Sequence, residues 1–220
     1  ISPLVQGLGH ASYILKHEKN KFLRDKPESD WAFNPLLKET YDLQFDLYRD
    51  AIKATPHGKY LHVGGDEVHL TERNGKSELE LNLIWLNRVS EFAKENNRIP
   101  IFWDDMPLKH AGLYRPMFNS EMSVEKVEEI WVENEKNLLK FIDKFPKNAI
   151  YMRWNYQKSE TYGNQKVMEW YTNNDLKVMG ATAGQTRWTL MPQNQSNIPQ
   201  IKSFALSSIE KNLDGLLLTL

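Results

Sequence analysis

The feature that most constrains this chain is an alternation. Short apolar runs ("PLVQGLG", "YLHVGG", "IPIFWDD", "AIYMRWNY", "LKVMGATAG" and "GLLLTL") recur along its 220 residues, and segments of helical period lie between most of them. The runs are too short for helices. They carry β-branched or aromatic residues, or continuous apolar character, as strands covered on both faces do. "NPLLKETYDLQFDLYRDAIKA" predicts a helix capped by Asn34 with Pro35 at its first position, and Leu37, Tyr41, Phe45, Tyr48 and Ile52 as its apolar stripe. "SELELNLIWLNRVSEFAKENN" turns Leu79, Leu83, Leu86, Val89, Phe92 and Ala93 inward. "SVEKVEEIWVENEKNLLKFIDKFP" does so with Val124, Val127, Ile130, Trp131, Leu138, Phe141 and Ile142, and Pro146 stops it. "NQKVMEWYTNND" is a shorter helix, and "NIPQIKSFALSSIEKN" predicts one capped by Asn197 that packs Ile201, Phe204 and Ile209.

Such alternation calls for a parallel sheet with crossover helices. No Gly-rich phosphate turn follows the first strand, which disfavours a dinucleotide-binding sheet. A spacing of roughly 30 to 50 residues per strand suits a (β/α)8 TIM barrel with elaborated loops. About six strands can be counted where a closed barrel has eight, so the expectation is an incomplete barrel, about strands 3 to 8. No linker or repeat divides residues 1–220, which are expected to form one domain lacking its N-terminal strand–helix units.

Composition narrows the function. A net charge of -1 gives no nucleic-acid footprint. No run of about 18 apolar residues predicts a membrane span. The absence of cysteine removes disulfides, thiolate metal sites and a cysteine nucleophile, and leaves the compartment open. Oligomeric state is equally open.

In a barrel the chemistry sits at the C-terminal strand ends. Those ends hold His10, then Asp66 and Glu67, then Trp103, Asp104 and Asp105, then Trp154, Asn155 and Tyr156, with Trp188 after the next strand. Acids, amides and indoles converging on one mouth suit a polyhydroxylated ligand: indoles cover the apolar faces of a sugar ring while carboxylates bond its hydroxyls. His17, His57 and His110 read as surface or loop residues, and Arg153 and Arg187 as ion-pair partners.

Asp66 and Glu67 stand out, because a strand end inside an apolar run is a costly place for two charges. Gly64 and Gly65 just before them would let backbone or ligand approach closely. Two like charges side by side should separate in pKa, leaving one a proton donor near neutral pH. The usual glycosidase carboxylates, however, flank the scissile bond, about 5 to 5.5 Å apart for retention or about 6.5 to 9.5 Å for inversion. Neighbours on one strand rise from a single wall. The arrangement makes sense if a 2-acetamido sugar supplies its own nucleophile, one carboxyl protonating the leaving oxygen and the other holding the acetamido N–H.

"HVGGDEV" closely resembles the H-x-G-G-D-E signature of glycoside hydrolase family 20, the β-N-acetylhexosaminidases. "PLVQGLGHASYILKH" is similar to the family's third strand with Gly9 and His10, "WAFNPLLKETYDL" to the segment before the catalytic strand, and "FWDDM" and "WNY" to the next strand ends, especially in the branch related to hexosaminidase D. The resemblance implies Glu67 as general acid/base, Asp66 as the residue orienting the acetamide, His10 beside the acid, and His62 as the motif histidine. Trp103, Asp104, Trp154 and Trp188 are implied pocket residues, and Tyr156 a candidate partner of the acetamido carbonyl. It implies an N-acetylhexosamine glycan as substrate, no cofactor and no metal. It also implies that the arginine gripping the sugar hydroxyls, and a further tryptophan after the last strand, lie outside these residues.

Two rivals belong to other classes. A metal-dependent hydrolase on the same fold would use His62, Asp66, Glu67 and His69, whose spacing is not that of H-x-H or H-E-x-x-H. A non-catalytic carbohydrate-binding barrel would not need both carboxylates. A chitinase-like family 18 barrel lacks its D-x-x-D-x-D-x-E run here.

Overall fold

The computed structural model describes residues 1–156, 159–184, 191 and 193–219. In chain order its helices are α1 (Ser12–Leu15), α2 (Lys38–Ala54), α3 (Glu78–Glu95), α4 (Asp105–His110), α5 (Tyr114–Phe118), α6 (Val124–Leu139), α7 (Tyr162–Asn173) and α8 (Asn194–Glu210). Its strands are β1 (Tyr60–His62), β2 (Ile99–Trp103), β3 (Ile150–Trp154), β4 (Lys177–Ala183) and β5 (Gly215–Thr219). They form one curled, wholly parallel sheet in sequential order, an incomplete (β/α)8 barrel. The first predicted strand is reduced to a parallel bridge beside β1: the Val5 N–H donates to the His62 carbonyl and the His62 N–H to the Pro3 carbonyl, both at 2.9 Å. No helix among the described residues is long and apolar enough to cross a membrane.

Strand alternation divides the apolar residues between two faces. Leu61, Phe102, Tyr151 and Val178 are buried against a helix layer that includes Trp85, Trp131 and Trp170. Ile101, Trp103, Ile150, Met152 and Ala181 pack together on the inner face. Both faces of the sheet from β1 to β4 thus carry buried apolar residues, as a parallel sheet requires, whereas Leu217 and Leu218 of β5 are exposed.

The helix boundaries show where local chemistry overrode pattern. Ser77 closes a full capping box with Glu80 at the start of α3, and all six of that helix's expected core residues are buried. Helix α2 begins at Lys38, not Pro35, because the Asn34 carboxamide accepts the Leu36 N–H at 3.0 Å and closes a separate turn. Helix α8 begins at Asn194, three residues ahead of the expected cap, so Asn197 lies within it, buried. Ile209 is 74 % exposed: it falls about 140° round the helix from Phe204 at about 100° per residue. Val124, the first residue of α6, is 48 % exposed. The short helices α1, α4 and α5, and two 3-10 turns, were not expected from periodicity; α4 and α5 follow the end of β2 and shape the mouth.

Candidate active site

After β1 the chain turns through Gly64 and Gly65, at φ 71° and 95°. Side-chain-bearing residues rarely adopt such angles. The glycines do not open space for a ligand, as the sequence had suggested. A Cβ on Gly64 would lie 1.8 Å from Gln6 Oε1, and one on Gly65 would meet the Phe102 and Trp85 rings at 3.1 Å. The room they leave is filled by protein.

Past this turn Glu67 itself sits at φ 48°, and His10, arriving from the first segment, at φ 52°. Single non-glycine residues held in the left-handed region are characteristic of strained functional sites. The consequence is a convergence that strand geometry alone would not produce. His10 Nε2 lies 3.3 Å from Asp66 Oδ2 and 3.4 Å from Glu67 Oε2. One ligating atom from each of the three residues lies within 4.8 Å of the other two. The Glu67 side chain is 55 % exposed and Asp66 only 20 %. Burial raises the Asp66 carboxyl above its ordinary pKa; His10 opposes that rise and Glu67 adds to it.

The other expected residues divide. His62 lies beneath the turn, not beside the acids. Its Nδ1 accepts the Gly64 N–H at 3.1 Å, its ring lies 4.6 Å from that of Trp103, and burial drives its pKa to about 3, so it is neutral. Trp103 is 9 % exposed and belongs to the inner-face cluster. Trp154 is half-buried between Phe118, at 4.8 Å, and Tyr156, at 5.2 Å. The Tyr156 phenol is hydrogen-bonded to Thr219 and raised in pKa, chiefly by burial and also by Asp66. Trp188 and Arg187 lie outside the described residues.

Asp104 is a correction. Its side chain is 0 % exposed and pairs with Arg153, also 0 % exposed, at 3.3 Å, so it does not reach the mouth. Burial pushes its carboxyl up to about 7 against the pull of Arg153. Arg153 also donates to the Trp154 carbonyl and to Met117 Sδ, which makes it the structural ion-pair partner expected. His110 is not a surface residue either: its side chain is 6 % exposed and lies 3.0 Å from Glu78.

Two further residues hold Glu67: Asp105, which the sequence placed at a strand end without a role, and Trp31, which it did not single out. Asp105 Oδ2 accepts the Glu67 N–H at 3.2 Å, and Trp31 Nε1 donates to the Glu67 carbonyl at 2.9 Å while its ring lies 4.3 Å from that of His10. Period-2 alternation could have found Asp105, since it shares the face of Trp103 and Asp104 does not. Trp31 had no such signal, because it comes from a loop far from any strand end.

The four ligands of the metal-hydrolase alternative do not assemble. His62 is held by Gly64, and His69 is exposed beside Lys109 Nζ at 3.0 Å. Among the described residues, His10, Asp66 and Glu67 are the one group placed to hold a cation.

Several known proteins are similar to this chain. Hexosaminidase D of Bos taurus is 29 % identical over 118 residues, which cover 48 % of this chain and 34 % of that protein. Hexosaminidase D of Homo sapiens is 27 % identical over 118 residues, 48 % of this chain and 24 % of that protein. The matches thus span about a third and about a quarter of those relatives' length. The structure of the GH20 β-N-acetylhexosaminidase from Streptomyces coelicolor A3(2) superposes with a TM-score of 0.50 over 82 % of this chain and 30 % of that one, at 14 % identity, a likeness of fold. The model of the glycosyl hydrolase family 20 catalytic domain matches residues 9–202, which span the whole of the acid–histidine cluster and most of the sheet, and the chain belongs to that family.

Proposed function

We infer that this chain carries the catalytic centre of a β-N-acetylhexosaminidase that removes terminal β-linked GlcNAc or GalNAc with retention, using the substrate's acetamido group as nucleophile. The observation that carries the reading is the shared contact of Asp66 and Glu67 with one nitrogen of His10. Two carboxylates gathered on one histidine occupy one wall, so they are not placed as an acid and an opposite-face nucleophile. The name of the two mammalian relatives agrees with the reading.

In this mechanism the acetamido carbonyl oxygen attacks the anomeric carbon as the glycosidic bond breaks. The Glu67 carboxyl gives its proton to the leaving oxygen. Asp66, as carboxylate, accepts the acetamido N–H and stabilises the positive charge that develops there. Glu67 then takes a proton from water, which opens the cyclic intermediate from the face the aglycone left. Its exposure suits it to both steps, and the enclosure of Asp66 suits it to a fixed electrostatic task. Trp154 and Tyr156 would line the pocket, with the phenol near the acetamide.

The test is hydrolysis of an aryl N-acetyl-β-glucosaminide by the protein beside Glu67→Gln and Asp66→Asn. Each variant should lose roughly 10²- to 10⁴-fold in kcat/KM, and the Glu67 loss should shrink on an aglycone that leaves easily. Wild-type rates in Glu67→Gln would refute the assignment. Activity abolished by a chelator and restored by a divalent metal would favour a metal held by His10, Asp66 and Glu67 instead.

A further inference from the structure

Glu67 is held at φ 48°, a left-handed conformation that an L-residue adopts only at a cost, so something must hold it there. Two side chains grip its peptide groups from opposite ends. Trp31 binds the carbonyl and Asp105 binds the N–H. A carboxylate is a stronger acceptor for an amide than a neutral oxygen is.

The placement of Asp105 has no sufficient explanation in the fold alone. It is the first residue of α4 and fully buried. Its carboxylate reaches back 38 residues to the catalytic loop. It makes no ion pair within 4 Å among the described residues, where its neighbour Asp104 has Arg153. A buried acid in that position is costly, and a second acid, Asp66, is close enough to raise that cost. The Trp154 side chain faces the same carboxylate and favours its ionised form. Asp105 therefore stands between the proton donor and the wall of the pocket.

We propose that Asp105 is a positioning residue that clamps Glu67 through its amide, and so aims the carboxyl at the leaving oxygen. This rests on the reading of Glu67 as proton donor. Burial moves the Asp105 carboxyl up to about 6, which leaves it mostly ionised, and accepting, at neutral pH. Without the clamp the loop relaxes, Glu67 swings away, and catalysis falls where proton donation matters most.

The test compares the protein with Asp105→Ala and Asp105→Asn on N-acetyl-β-glucosaminides of graded leaving-group ability. Asp105→Ala should lose roughly 10²-fold in kcat on the poorest leaving group, with KM little changed. On the most activated aryl group the loss should be less than about tenfold. Asp105→Asn keeps an acceptor and should recover most of the rate. A loss independent of the leaving group, or equal in both variants, would overturn the proposal. Hydrogen exchange of the Glu67 amide reads the clamp without any reaction. It should be slow in wild type and Asp105→Asn and fast in Asp105→Ala; unchanged exchange in Asp105→Ala overturns the clamp. If the exchange pattern holds and the wild type cleaves no hexosaminide, the clamp stands and the hexosaminidase reading falls.

Discussion

Replacing Gly64 by alanine tests whether the turn before the acids is built as described, and a second glycine supplies the control. Gly75 has φ 70°, almost the same as 71° at Gly64, but a Cβ on Gly75 would meet nothing within 4 Å. Gly75→Ala therefore isolates the dihedral cost, about 1–2 kcal/mol. The stiffer unfolded chain returns about 0.4–1 kcal/mol of that, leaving a net loss of roughly 1 kcal/mol. At Gly64 the new methyl would sit 1.8 Å from Gln6 Oε1 and 3.2 Å from Gln6 Cα. The side-chain oxygen can swing away; the backbone atom must shift. Overpacking of this kind adds about 1–3 kcal/mol. Gly64→Ala should then lose roughly 2–4 kcal/mol and lower Tm by roughly 4–16 °C, at about 2–4 °C per kcal/mol for a chain of this size. Adding Gln6→Ala should relieve the side-chain clash and leave the dihedral cost, a coupling of roughly 1–2 kcal/mol in a double-mutant cycle. Urea unfolding of the four variants measures each term. Equal losses at Gly64 and Gly75, or the absence of coupling to Gln6, would refute the reasoning.

Three further outcomes are expected. Asp104→Asn leaves Arg153 buried without a carboxylate and should cost about 3–5 kcal/mol at about pH 8, where Asp104, pushed up to about 7, is mostly ionised; the cost should shrink at about pH 6, where Asp104 already carries a proton, and urea unfolding at the two pH values measures the difference. His62 is neutral when folded, with a pKa of about 3 against the ordinary 6.5, so its contribution is complete above pH 6.5 and is lost as pH falls towards 3. By pH 5 that loss is about 2 kcal/mol, and His62→Gln, which keeps an acceptor for Gly64, should remove it from the pH profile of unfolding, whereas Asp104 and Asp105, raised when folded, act with the opposite sign between about pH 4 and 7. Trp31→Phe keeps a ring against His10 but removes the donor to the Glu67 carbonyl, so it should lose about 1 kcal/mol or less of stability and lower kcat more than it raises KM.

Local pattern carried most of the architecture. Helix α3 was legible as a helix with its buried face, because its apolar stripe repeats without interruption, and Ser77 and Glu80 close a capping box at its start. Helices α2 and α8 were legible as helices but not at their starts, because an Asn–Pro pair and an interior proline admit more than one local hydrogen-bonding solution. The first strand was visible as an apolar run, yet pairing depends on a neighbour, and it makes only a bridge. In the site, side-by-side acids after two glycines could be read directly. His10 could be placed at the same mouth as a strand-end residue, but beside the acids only through its likeness to a family.

From sequence alone came the parallel α/β class, set by the alternation of strand and helix periods, and the identity of Asp66 and Glu67, set by two charges where an apolar strand ends. Tertiary structure alone decided what surrounds them. Left-handed backbone at His10 and Glu67 brings three side chains to one point. The alternation of faces past Trp103 sends Asp104 to Arg153 and Asp105 to the Glu67 amide. A loop tryptophan closes the other end of that peptide. Periodicity reports which way a side chain leaves its own element, but these contacts join segments far apart in the chain, and only the folded backbone fixes the distance between them.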